Sequence, residues 1–107
     1  MSDFVEYLKE VFQDFGPVSA RKMFGGHGLF HQGLMIGLVA DDVLYLKIDE
    51  QSKAAFIDEG CEPFMYNKGG KQVQMSYFTA PDRVFDDPDE AVRWASLAYD
   101  AALRSKK

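Results

Sequence analysis

Apolar and polar positions alternate along this chain with two different periods, and the switches between them mark out its elements. Over residues 3–15, Phe4, Leu8, Val11, Phe12 and Phe15 fall on one helical stripe. A helix is predicted there, capped by Ser2 or Asp3 and stopped by Gly16-Pro17. Between residues 22 and 49 the pattern becomes that of strands. Segments at about 22–31, 34–40 and 43–48 are separated by turn signals at Gln32-Gly33 and Asp41-Asp42, which predicts a three-stranded antiparallel meander.

A second helix is predicted over residues 49–60, with Asp49 as N-cap and Gly60 as the left-handed residue after its end. A hairpin follows, with strands 63–66 and 72–79 around the tip Asn67-Lys68-Gly69-Gly70-Lys71. In the second of these strands Val73, Met75, Tyr77 and Thr79 share a face that should be buried, with Gln72, Gln74 and Ser76 on the wet side. The last helix starts at Asp87-Pro88, with Glu90 placed to complete a capping box, and runs to about Arg104. Its inward stripe reads Ala91, Val92, Ala95, Ala98, Tyr99, Ala102 and Leu103, and Trp94 should seal the edge. The predicted class is α+β. It is a single two-layer domain of order α-β(3)-α-β(2)-α, its antiparallel sheet packed against helices.

Composition narrows this picture. At 107 residues, 47% of them apolar, the chain is one domain spanning 1–107 with enough hydrophobic material for an unstapled core. Cys61 is its one cysteine, which excludes an intramolecular disulfide and suits a reducing compartment. The amphipathic, acidic N-terminus lacks a secretory pattern, and the longest apolar run, residues 34–40, is far short of the ~20 residues of a membrane span. A cytoplasmic protein without membrane contact is expected. The net charge of −5 opposes binding that rests on neutralising phosphates. Arg21-Lys22 and the tip from 67 to 71 are locally basic.

The candidate chemistry concentrates between residues 21 and 33, where four glycines and two histidines occur together. A phosphate loop would lead from a strand into a helix, whereas these glycines lead into more strand and have neither known phosphate-loop spacing. His27 and His31, four residues apart on a strand, would stand about 13 Å apart. That is too far for one metal with bonds of ~2 Å. Cys61 follows a helix end, where a small apolar residue packs back, and its neighbours Glu59 and Glu62 would raise its thiol pKa. The acids between 82 and 90 suit capping and lack calcium-loop spacing. No enzyme, cofactor or metal is expected. Gly25-Gly26 then mark a bulge, a tight bend or a close approach. Gly26 and Gly28, between Phe24 and Phe30, leave a notch for a large side chain, drawn from the first or last helix or from a partner.

An ordered set of residues resembles the N-terminal domain of the TfoX/Sxy family. The set is Arg21, Met23-Phe24-Gly25-Gly26, Gly28-Leu29-Phe30, Gly33-Leu34-Met35, Leu44-Tyr45-Leu46-Lys47, Pro63-Phe64, Tyr66, Ser76-Tyr77-Phe78, Pro81, Trp94-Ala95 and Ala98. The resemblance implies the same α-β(3)-α-β(2)-α order. It also implies a relation to regulators of natural competence, which act with a cyclic-AMP receptor protein and carry a second, C-terminal domain. This chain resembles the stand-alone members that lack that domain. The family supplies no catalytic residues to carry over.

The expected function is therefore a non-enzymatic regulatory module, linked to transcription and contacting a protein partner such as the transcription machinery, or pairing as a homodimer through an exposed sheet edge. The expected interaction surface comprises Arg21, Lys22, Met23, Phe24, Gly25, Gly26, His27, Lys47, Lys68, Lys71 and Tyr77. Small-molecule sensing in a pocket lined by Phe24, Phe30 and Tyr77 ranks second, and direct nucleic-acid contact ranks last.

Overall fold

A computed structural model describes residues 3–23 and 25–106. Phe24 of the expected surface and Ser2, one of the two candidate caps, lie outside the described residues. The elements are α1 (Asp3–Val11), β1 (Ser19–Met23), β2 (Gly26–His31), β3 (Leu34–Ala40), β4 (Val43–Lys47), α2 (Lys53–Asp58), β5 (Pro63–Lys68), β6 (Lys71–Thr79), a 3-10 turn (Asp82–Val84) and α3 (Pro88–Ser105). The six strands form one antiparallel sheet in the order β1-β2-β3-β4-β6-β5. The α+β class and the alternation of helices with strand groups are as predicted, but the first strand group has four members.

That fourth strand comes from the glycine stretch. Met23 pairs with Gly26, so the chain reverses between them, with Gly25 in the left-handed region at φ +75°. The predicted single strand over 22–31 is thus the end of the first arm, the turn and the second arm of a hairpin. β1 escaped the periodic reading because Ser19, Arg21 and Lys22 are exposed and its burial does not alternate. The other three hairpin turns fall where the sequence places them. Gln32-Gly33 and Gly69-Gly70 have positive φ at both positions, and so do Asp41 and Asp42, at 52° and 58°.

α1 ends at Val11 and residues 12–15 continue as a turn, so the predicted helix is shorter by four. α2 likewise starts at Lys53. Asp49 caps the preceding turn, its carboxylate accepting from the backbone N–H of Gln51 and Ser52 at 3.1 Å each. At the other end Gly60, at φ +78°, closes α2: Gly60 N–H donates to Ile57 and Cys61 N–H to Phe56.

The helices cover one sheet face. Leu29, Ile36, Val39, Leu44, Leu46, Ile48 and Phe78 meet Val5, Leu8, Phe12, Phe56 and the Ala91, Trp94, Ala95, Ala98 face of α3. Ile36 is kept inward by a bulge: Leu29 pairs with Gly37 and Phe30 with Met35, which leaves Ile36 as the extra residue. Trp94 is central, contrary to its predicted edge position. It is fully buried, packs edge-on against Phe56 at 4.8 Å between centroids, and donates its indole N–H to Glu90. Leu103 faces out at 43% exposure, and Ala101 takes the inward place.

The capping box at Glu90 does not form. Asp87 accepts from Asp89 N–H, while Glu90 pairs with Arg83 at 2.5 Å. Arg83 also reaches both carboxylate oxygens of Glu59, so it ties the end of α2 to the start of α3.

Candidate functional site

Side chains alternate across a strand, so the residues between the core positions point to the face that no helix covers. The register places them in rows. Arg21, Gly28, Leu38, Tyr45 and Thr79 form one row, and Ser19, Phe30 and Met35 begin the next, which continues through Lys47 and Tyr77. Phe64 reaches this face from β5, its ring 4.9 Å from Tyr45 in an edge contact. Tyr66 pairs with Val73, and Lys68 with Lys71, on the same side farther out.

Four of the expected cations therefore converge on the open face: Arg21, Lys47, Lys68 and Lys71. Met23 and Tyr77 of the expected surface join them. Lys22 and His27, which pair with each other, point to the opposite side, while Gly25 lies in the β1–β2 turn and Gly26 opens β2. Residues absent from the expected set complete the face, namely Phe30, Tyr45, Phe64 and Tyr66. Their signal was available in the alternation of their strands, but periodicity does not say which of the two faces the helices leave bare.

The glycine notch is filled from within. A Cβ at Gly28 would lie 2.9 Å from the Met23 sulfur and 3.2 Å from the Met35 methyl. Two methionines of neighbouring strands, rather than a helix side chain, occupy the space. At Gly26 a Cβ would fall 2.0 Å from the Val39 carbonyl oxygen, so glycine is required there by the approach of another backbone. Phe30 and Tyr77 stand on β2 and β6, with β3 and β4 between them.

Two of the cations rest on rings. The Arg21 guanidinium carbon lies 4.9 Å from the Phe30 centroid, and Lys47 Nζ lies 5.2 Å from that of Tyr77. Burial raises the pKa of the Tyr77 hydroxyl, so it stays neutral near neutral pH. Leu38 is buried at 5% exposure although no helix touches its side of the sheet. It lines a small cavity with Met23, His27, Val39, Ala40 and Phe64. β5 lies at the far edge from β1, so this shared lining means the sheet curls and the open face is concave.

The histidines have separate surroundings. His31 lies between Phe15 and Tyr99, at 4.4 and 5.0 Å, and its Nδ1–H donates to the Pro17 carbonyl at 2.8 Å. Among the described residues no three His, Cys, Asp or Glu side chains converge as metal ligands would. Cys61 packs against the core. Burial is the main cause of its raised thiol pKa, with Glu59 and Asp82 adding to it. Among the described residues no helix is long and apolar enough to cross a membrane.

The sequence matches the TfoX N-terminal domain over residues 10–102. It is 28% identical over 101 residues to Protein Sxy of Escherichia coli (strain K12), an alignment covering 94% of this chain and 46% of that protein. It is 36% identical over 78 residues to the DNA transformation protein TfoX1 of Aliivibrio fischeri (strain ATCC 700601 / ES114), covering 69% of this chain and 37% of the relative. The chain thus spans less than half the length of these relatives. With the family's pattern running through every strand and all of α2, this chain belongs to the TfoX N-terminal domain family.

Proposed function

We propose that this domain is a non-enzymatic regulatory module, linked to transcription, that works by docking a macromolecular partner on its open sheet face. The observation that carries this reading is the separation of charge. None of the 17 acidic residues lies on a strand, whereas four cations share the uncovered face of a protein with net charge −5. Of the other described cations, Lys9, Arg83, Arg93 and Arg104 form ion pairs with carboxylates, whereas Lys22, Lys53 and Lys106, scattered over the rest of the surface, form none. Arg21, Lys47, Lys68 and Lys71 form none among the described residues, so their charge is available to an anionic partner.

A Lys68→Glu/Lys71→Glu protein tests the reading. Both residues are exposed at a hairpin tip, so the melting temperature should be unchanged. The native protein, immobilised and challenged with cell extract, should retain a partner that the variant loses. Equal recovery by both would remove the open face as the docking site.

A further inference from the structure

The charge and the rings of the open face occur together, and that combination narrows the partner. We propose that this face binds a single-stranded polynucleotide, its bases against Phe30, Tyr45, Phe64 and Tyr66 and its phosphates on Arg21, Lys47, Lys68 and Lys71. The proposal rests on the open-face docking reading and names its occupant.

Lys68 and Lys71 face each other directly across the β5–β6 ribbon. Like charges opposed in this way destabilise a sheet. No described carboxylate pairs with either, so an anionic partner would relieve the repulsion. The ribbon also projects: β4 pairs with β6 only at Tyr77, Phe78 and Thr79, and from Lys71 to Gln74 β6 is exposed. At the other end of the face Arg21 lies across the Phe30 ring, and between the ends Lys47 lies across Tyr77. Cations interleaved with aromatic side chains on a concave sheet suit a strand whose phosphates and base faces are both accessible.

A duplex hides its base faces in stacking, so the rings would be idle against it. A polyacidic segment would satisfy the cations but offers the rings no flat faces of the kind that bases provide. The net charge of −5 does not veto the proposal. The carboxylates sit on helices, turns and loops, and across a sheet and helix layer about 10 Å deep they are largely screened at 0.1 M salt. The carboxylates of Asp41 and Asp42 sit at the β3–β4 turn beside Gly25 and Gly26. They would steer the strand away from that end and along the path from Arg21 to Lys71.

The test uses fluorescence anisotropy with labelled ten-nucleotide oligothymidine and oligouridine, which separate DNA from RNA as the source. Four phosphate contacts predict a slope of about −2.8 for log affinity against log salt, a loss of about fiftyfold from 50 to 200 mM. In Lys68→Gln/Lys71→Gln the slope should fall to about −1.4 and the loss to about sevenfold. A matched abasic oligomer, a ten-base-pair duplex and polyglutamate should each bind at least tenfold more weakly. Absence of oligonucleotide binding at 50 mM salt, a slope unchanged in the double variant, or equal binding of any of the three competitors would overturn the proposal. If partner capture depends on Lys68 and Lys71 while the oligonucleotides do not bind, open-face docking stands and the polynucleotide falls. If neither depends on them, both fall.

Discussion

The two faces of the sheet use the same six strands and differ in what the rest of the chain does to them. On the covered face, Leu29, Val39, Leu44, Leu46 and Phe78 are sealed by α1, α2 and α3, and every strand residue in that core is uncharged. On the open face Leu38 and Tyr77 are also buried, but by Met, Tyr and Phe neighbours within the curled sheet, and cations stand among them. Burial of a single residue therefore does not identify the side on which a helix lies. A face can fill its own concavity and still present a charged surface.

The sharpest way to break this comparison is to remove the same side chain from each face. Leu46→Ala, under the helices at 0% exposure, should cost about 4 kcal/mol in urea unfolding. Leu38→Ala should cost about 2 kcal/mol, because flexible methionines nearby can collapse into the space. Equal losses would mean that the open face is covered in solution, for instance by a second copy.

The second contrast concerns paired and unpaired charge. Arg104 binds both carboxylate oxygens of Asp49, and this hydrogen bonding lowers the Asp49 pKa from 3.8 to about 2. A depressed folded-state pKa contributes stability above pH ~4, which is lost as pH falls through about 2. The full shift is worth about 2 kcal/mol, and screening at this partly exposed site reduces it to about 1. Asp49→Asn should lose that amount at pH 7 and flatten the stability profile between pH 4 and 2, as followed by chemical denaturation at a series of pH values. A smaller effect of opposite sign is expected on the open face. Lys68→Gln/Lys71→Gln relieves a like-charge pair and should raise stability by up to about 0.5 kcal/mol. A loss would show that the two lysines already have partners in the free protein.

Much of the fold was legible because its signals are local. Gly60 ends α2 as its position predicts, and the hairpin tips at Gln32-Gly33, Asp41-Asp42 and Gly69-Gly70 carry their turn chemistry in two residues. The misreadings cluster where distant contacts decide. β1 lacks alternation because it is an edge strand with most of its residues in solvent. Val73 and Met75 look like core positions beside Tyr77, yet the core residue of β6 is Phe78, and Val73 is 40% exposed. Glu90 had the spacing of a capping partner, but Arg83 and Trp94 claim its carboxylate. Of the candidate site, the cations were each visible, and their convergence was not. Lys22 adjoins Arg21 in sequence and points to the other side, while Lys47 and Lys71 lie 24 positions apart and share a face.

By itself the sequence determined the class, the succession of helices and strands, most of the turns and the family, because periodicity, capping and backbone conformation are properties of neighbouring residues. Only the tertiary structure decided that Gly25 reverses the chain, that methionines fill the notch at Gly28 and that Trp94 sits at the centre of the core. It also decided that one sheet face remains bare, with the strand cations gathered on it. Which face a helix covers depends on how elements far apart in the chain pack together, and alternation within a strand is symmetric with respect to that choice.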